Sequence, residues 1–183
     1  MKSLLLPLTL LLSLSSIAQD KFFTRTGHIW FFSSTPVEDI EAHSRQVSSI
    51  LDVTTGEIVY SLQMRSFEFE KALMEEHFNE NYVESEKFPK ATFKGEIKNF
   101  DEINLSENGT YQVVVAGDLT IHGVTNPVET EGTLKVNGEK IHGKSTFTLL
   151  VADYDIEIPK VVQDNIAKEI EINVDINYEP YNQ

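Results

Sequence analysis

Gly117-Asp118-Leu119-Thr120-Ile121-His122-Gly123-Val124-Thr125-Asn126-Pro127 separates two runs of alternating hydrophobicity. Before the break, Tyr111, Val113, Val115, Leu119 and Ile121 share one parity, while Gln112, Asp118 and Thr120 take the other. A period of two is the spacing of a strand with one dry face. After it, Val128, Thr130, Leu134 and Val136 alternate against Glu129, Glu131, Thr133 and Lys135. Gly123, Asn126 and Pro127 supply the backbone freedom and the fixed φ of a reversal. The stretch therefore predicts a hairpin of two amphipathic strands.

The same alternation extends outward. Strands are predicted over Glu57 to Arg65 (Ile58, Tyr60, Leu62 and Met64 on one side) and over Ala91 to Phe100. Asn137-Gly138 is a two-residue hairpin signal leading into Lys140–Val151, where Phe147, Leu149 and Val151 share a parity. The cleanest strand is the last: Ile170, Ile172, Val174, Ile176 and Tyr178 stand against Glu169, Glu171, Asn173, Asp175 and Asn177. Near the start, Lys21 to Ser34 carries apolar groups on both parities, so its inward face is ambiguous. Val37 to Asp52 is weakly patterned and leads into a turn over Asp52 to Gly56. Only Phe69, Leu73, Met74 and Phe78 recur at helical spacing, predicting a short amphipathic helix that ends near Asn79 to Asn81. A helical turn is also expected around Val161 to Ile166, after Pro159. At least six strands with short connections make an antiparallel meander, which must either pair with a second sheet or close on itself, and closure removes the exposed edges. The fold expected from the residues is all-β and antiparallel, with one or two short helices. Eight strands leave room for side chains or for one small ligand, and composition does not separate a filled barrel from a hollow one.

The 183 residues suit one domain, expected over 20–183. Residues 1–19 read as a secretory signal peptide: Lys2, an apolar run from Leu4 to Leu14 too short to span a bilayer, then Ser15, Ser16 and Ala18. A periplasmic or secreted protein with no stable membrane anchor after cleavage is the expectation. With no cysteine, neither a disulfide nor a lipidated thiol is available, so burial must hold the domain. The formal charge is −14, from 15 basic and 29 acidic residues; losing Lys2 leaves 14 against 29, or −15. Such a surface repels phosphate backbones and anionic head groups, which argues against nucleic acid as a partner.

No catalytic motif stands out. His28, His43, His77, His122 and His142 form no tight metal spacing, and there is no G-x-S-x-G elbow. His122 reads as a turn residue bonding the backbone of its own loop; a pairing with His142 is the sharper alternative. Glu75-Glu76 reads as a solvated helix face. No metal, cofactor or catalytic residue is assigned, and the expectation is a non-enzyme. Asn104 and Asn108 match the glycosylation pattern and read as polar turn residues. Phe67, Phe69, Phe78, Phe88 and Phe93 are expected to cluster around the helix, either plugging the barrel or lining it.

GDLTIHGVTNPV (117–128) resembles the signature of the YceI-like family of secreted bacterial proteins. The resemblance continues through TGHIWFFSSTPVEDIEAHS (26–44), HFNENYVESEKFPKATFKG (77–95) and VADYDIEIPKVVQDNIAKEIEINVD (151–175). It implies an all-β fold, an antiparallel eight-stranded lipocalin-like barrel with one or two short helices, that sequesters or carries an apolar chain: a polyisoprenoid, an isoprenoid quinone or a fatty-acyl chain. Met74-Glu75-Glu76-His77-Phe78 departs from the Arg-Asp-x-His-Leu type pattern of many relatives, which leaves the ligand's head group open. If the barrel is hollow, the cavity lining is expected from Phe67, Phe69, Leu73, Phe78, Phe93, Val113, Leu119, Ile121 and Leu149. A structural or stress-related envelope protein with a filled core is the alternative, and an enzyme acting on a lipid ranks below both. The oligomeric state stays open, a homodimer included.

Overall fold

The computed structural model describes residues 20–181, so the leader expected over 1–19 lies outside the described residues. The strands are β1 (Lys21–Ser34), β2 (Asp39–Asp52), β3 (Glu57–Gln63), β4 (Glu68–Phe69), β5 (Lys90–Ile97), β6 (Gly109–Ile121), β7 (Val124–Asn137), β8 (Lys140–Leu150) and β9 (Glu169–Pro180). All pairings are antiparallel, in the order β1-β9-β8-β7-β6-β5-β3-β2, and β1 also pairs with β2. The result is a closed eight-stranded barrel. Two-residue β4 hangs on β2 through Ala42↔Phe69 and His43↔Glu68. One end, called lower, carries Asp20, Tyr181 and the turn after β7. The upper end carries the helix and the longer connections.

The ambiguous first strand has a physical explanation. Phe22 and Thr24 are buried, and then Gly27, Ile29, Phe31 and Ser33 are, with Arg25 and Thr26 both exposed. The inward parity switches at a bulge, where the β1–β2 register shifts. Facing it, β2 buries Ala42 and Ser44, exposes Arg45 and Gln46, and then buries Val47, Ser49 and Leu51. A single period of two cannot describe either strand.

Three local expectations are corrected. The central reversal is only His122–Gly123, with φ of 52° and 78°, because Ile121 already pairs with Val124. Asn126 and Pro127 lie inside β7, opposite Leu119 and Asp118. A proline cannot donate to a ladder, and the upper part of β7 has no β8 partner, so it is tolerated there. The next hairpin turns at Gly138–Glu139, one residue late, since Asn137 pairs with Lys140 and only Gly138 has positive φ. The helix is also shorter. Phe69 is held extended against β2, so α1 covers only Ala72–His77 before a wide turn over Phe78–Tyr82. The later helical turn is a 3-10 turn over Lys160–Val162.

The barrel is filled at one end and hollow at the other. In the lower half Leu51, Leu134, Val136, Ile141, Ile176 and Tyr178 are almost wholly shielded. In the upper half the inward side chains of the same sheet, such as Leu119, Phe147, Leu149, Ile170 and Ile172, are only half-buried. The change follows the strand pairing. β7 and β8 bond from Asn137↔Lys140 up to Gly132↔Ser145 and no further, although each stays paired to its other neighbour. Above that point the wall splays and the bore widens.

Candidate functional site

The upper half encloses a cavity of about 380 Å³, within the range of small-molecule sites. Its wall follows from strand parity. β6 contributes Val115, Leu119 and Ile121, β8 contributes Phe147 and Leu149, and β9 contributes Ile170, Ile172 and Val174. Each set keeps one parity along its strand, with Gly117 between Val115 and Leu119, so each presents one face inward.

Of the expected lining residues, Phe67, Phe69, Phe78, Phe93, Leu119, Ile121 and Leu149 lie on this wall. Two do not. Val113 is buried in the packed lower half, because β6 runs the full barrel height and its lower end faces the filled core. Leu73 points to solvent at 61% exposure, because the short helix turns Met74 and Phe78 toward the cavity instead. The aromatic cluster also differs in membership. Phe31, Phe67, Phe69 and Phe78 meet with ring centroids 5.1–5.8 Å apart. Phe31 escaped the sequence because the bulge in β1 hid its parity. Phe93 packs against Tyr60 instead, and Phe88 lies edge-on to His122 outside the cavity.

Gly95 and Gly117 are direct cross-strand partners, and a Cβ on Gly95 would meet the Phe93 ring at 2.6 Å. The missing side chains give that ring its place on the wall. At the cavity floor, Tyr178 donates to the Tyr60 hydroxyl at 3.3 Å, and Ser49 lies 2.7 Å from Tyr178. Burial pushes the Tyr60 phenol up to about 12, against the pull of its hydrogen bonds from Tyr178 and Ser49. The surface that Tyr60 leaves uncovered is cavity surface. Burial also raises Tyr178, Tyr82 and Tyr154, so all four phenols stay neutral in ordinary buffers.

Charge sits at the mouth. Glu38, between β1 and β2, accepts Lys71 Nζ at 2.8 Å and Asn165 Nδ2 at 3.2 Å. The Lys71 hydrogen bond, then that of Asn165, holds its carboxyl below the usual range. Three segments far apart in sequence thus converge on one carboxylate. Neither Glu38 nor Asn165 could be assigned from sequence, since 127 residues separate them.

His122 fastens a different part of the rim. Its side chain spans the Tyr154 carbonyl, 3.0 Å from Nδ1, and the Glu84 carboxylate, 2.8 Å from Nε2. The bond from His122 is the largest cause holding the Glu84 carboxyl below its ordinary value. Its backbone-bonding role is thus made to a distant loop rather than to its own. His142 belongs to the lower end, opposite Lys135, and contacts Asp175 at 2.7 Å, so the two histidines do not meet. Among the described residues no group of three or more His, Cys, Asp or Glu is arranged to hold a metal.

Comparison with known proteins gives consistent results. The model of the YceI-like domain matches residues 20–178. A polyisoprenoid binding domain from Saccharophagus degradans, implicated in plant cell wall breakdown, superimposes with a TM-score of 0.78 at 17% identity. That match covers 89% of this chain and 99% of the other. Burkholderia cenocepacia BcnA follows at 0.69 and 16%, over 82% and 95% of the two chains. The Campylobacter jejuni YceI protein gives 0.56 and 12% over the whole of both. At these identities the likeness establishes the fold. A UPF0312 protein of Vibrio parahaemolyticus is 31% identical over 84 residues, 43% of this chain and 41% of that relative.

Proposed function

The chain belongs to the YceI-like domain family, and from that premise we propose that it sequesters or carries one apolar chain outside the cytoplasm. The ligand class is a polyisoprenoid, an isoprenoid quinone or a fatty-acyl chain. One observation carries the reading: a cavity of about 380 Å³ walled mainly by aliphatic and aromatic side chains, with Glu38 and the exposed His77 among its few polar groups. Such a tube removes hydrocarbon from water, at about 0.8 kcal/mol per buried methylene. The name of the Saccharophagus degradans domain, a polyisoprenoid binding domain, favours the same ligand class.

Binding without catalysis is part of the proposal. The phenols on and beneath the wall stay neutral, and Glu38 is drawn toward its charged form by partners at the rim. Neither is the arrangement of a general acid or base poised near neutrality. The apolar run from Leu4 to Leu14, followed by small residues, supports export with cleavage near Ala18 or Gln19, so that the mature chain begins at Gln19 or Asp20.

Organic extraction of protein purified from its native host, followed by mass spectrometry, tests the carrier reading. A long apolar chain in near-stoichiometric amount is expected. An empty extract from a protein that also fails to retain an added long-chain alcohol would end it. Intact mass of the exported protein tests the processing, and a product retaining Met1 would count against export.

A further inference from the structure

The cavity leaves some of the most exposed apolar side chains unexplained. Val37, Leu73 and Val161 are 63%, 61% and 89% exposed. They belong to the β1–β2 turn, the start of α1 and the 3-10 turn after Pro159. Each is the chain neighbour of a cavity residue, namely Glu38, Met74 and Val162. Glu38 draws the same three segments together through Lys71 at 2.8 Å and Asn165 at 3.2 Å. The exposed aliphatic groups therefore stand on the three segments that meet at the mouth. Of the other exposed aliphatics, Ile50 and Val59 are direct cross-strand partners that shield one another in part, while Leu150 ends β8 at the upper end of the barrel.

We propose that this rim docks on the surface of a zwitterionic lipid bilayer, where the bound chain is exchanged by contact. The inference rests on the carrier reading and adds the place and manner of loading. Area argues against a protein in this role. Three separate side chains fall well short of the roughly 800 Å² per partner of a stable protein interface. Separate aliphatic points suit shallow insertion between head groups. Charge selects the bilayer: within the three segments Glu38, Asp39, Glu70, Glu75, Glu76 and Asp164 outnumber Lys71 and Lys160, on a chain that is already acidic. Anionic head groups are repelled by such a rim. Chemistry gives the motive, since a long chain passing through water must expose every methylene that the cavity had covered.

Transfer kinetics test this. The protein is loaded with a pyrene-labelled long-chain alcohol, and transfer is followed into phosphatidylcholine vesicles holding a quencher. The rate is expected to rise in proportion to vesicle concentration. It should fall at least fivefold in the triple variant Val37→Ser, Leu73→Ser, Val161→Ser, whose altered side chains lie outside the cavity wall. It should also fall when phosphatidylglycerol is added at low salt. A rate independent of vesicle concentration, or unchanged in the triple variant, overturns the docking and leaves the carrier reading standing. Faster transfer to the anionic vesicles overturns the choice of bilayer. A dimer in solution that the triple variant dissolves assigns the rim to a second copy and overturns the proposal. Failure to retain the labelled alcohol at all defeats the carrier reading itself.

Discussion

His122 occupies the left-handed region with φ of 52°, which a side chain rarely adopts without compensation. Its contacts to Tyr154 and Glu84 supply that compensation and tie the central turn to two rim segments. His122→Ala should lower unfolding free energy by about 2 kcal/mol in a denaturant titration, because it frees two bonds at a nearly buried position. His28 gives a pH dependence. Burial, then Arg45 and His43, lower its pKa below 6.5, while Asp175 and Glu41 act in the other direction. As pH falls through 6.5 the unfolded chain gains a proton that the folded form resists. Stability therefore declines toward the folded-state value and levels below it. His28 Nε2 lies 3.0 Å from His43 Nδ1, which is the contact that brings the second ring to bear on it. The melting temperature should drop between pH 7.5 and 5.5, and drop less in His28→Asn; parallel curves would refute the assignment.

Among the elements, the β5–β6 pair shows how close approach sets the wall. A Cβ on Gly117 would stand 2.4 Å from Gly95 Cα and from the Lys94 carbonyl, both backbone atoms that cannot swing away. Gly117→Ala should cost about 2 kcal/mol or more, by overpacking. Gly138→Ala meets nothing within 4 Å and carries only the strain of φ 60°. Its loss should stay near 1 kcal/mol. Thermal melts of the two variants give the comparison, and equal losses would mean that turn strain, not wall contact, dominates.

For the whole molecule, the division into a filled and a hollow half separates stability from capacity. Leu119→Trp adds volume where the bore is open, so the protein should fold while retaining less chain. Leu134→Trp adds similar volume to the packed half, where no rotamer escapes its neighbours, and should destabilise severely. Circular dichroism and labelled-alcohol retention on both variants check this. If both fold equally well, the lower half is less closely packed than its burial implies.

The amino-acid sequence by itself determined the antiparallel strand pattern, the inward face of β6, β8 and β9, and the acidic, cysteine-free character of the chain. These are local properties: alternation has a period of two residues, and charge is a count. Phe93, Leu119, Ile121 and Leu149 could be set facing inward for that reason. Only the tertiary structure decided which inward residues meet a cavity and which meet a core. Val113 and Leu119 share one face of one strand, yet one is packed and the other borders open space. The difference arises on the neighbouring strands, where β7 and β8 part above Gly132 and Ser145. The bulges that flip β1 and β2, and the convergence of three distant segments on Glu38, are likewise sums of non-local contacts. No window of sequence contains them, because the width of a barrel belongs to all its strands at once.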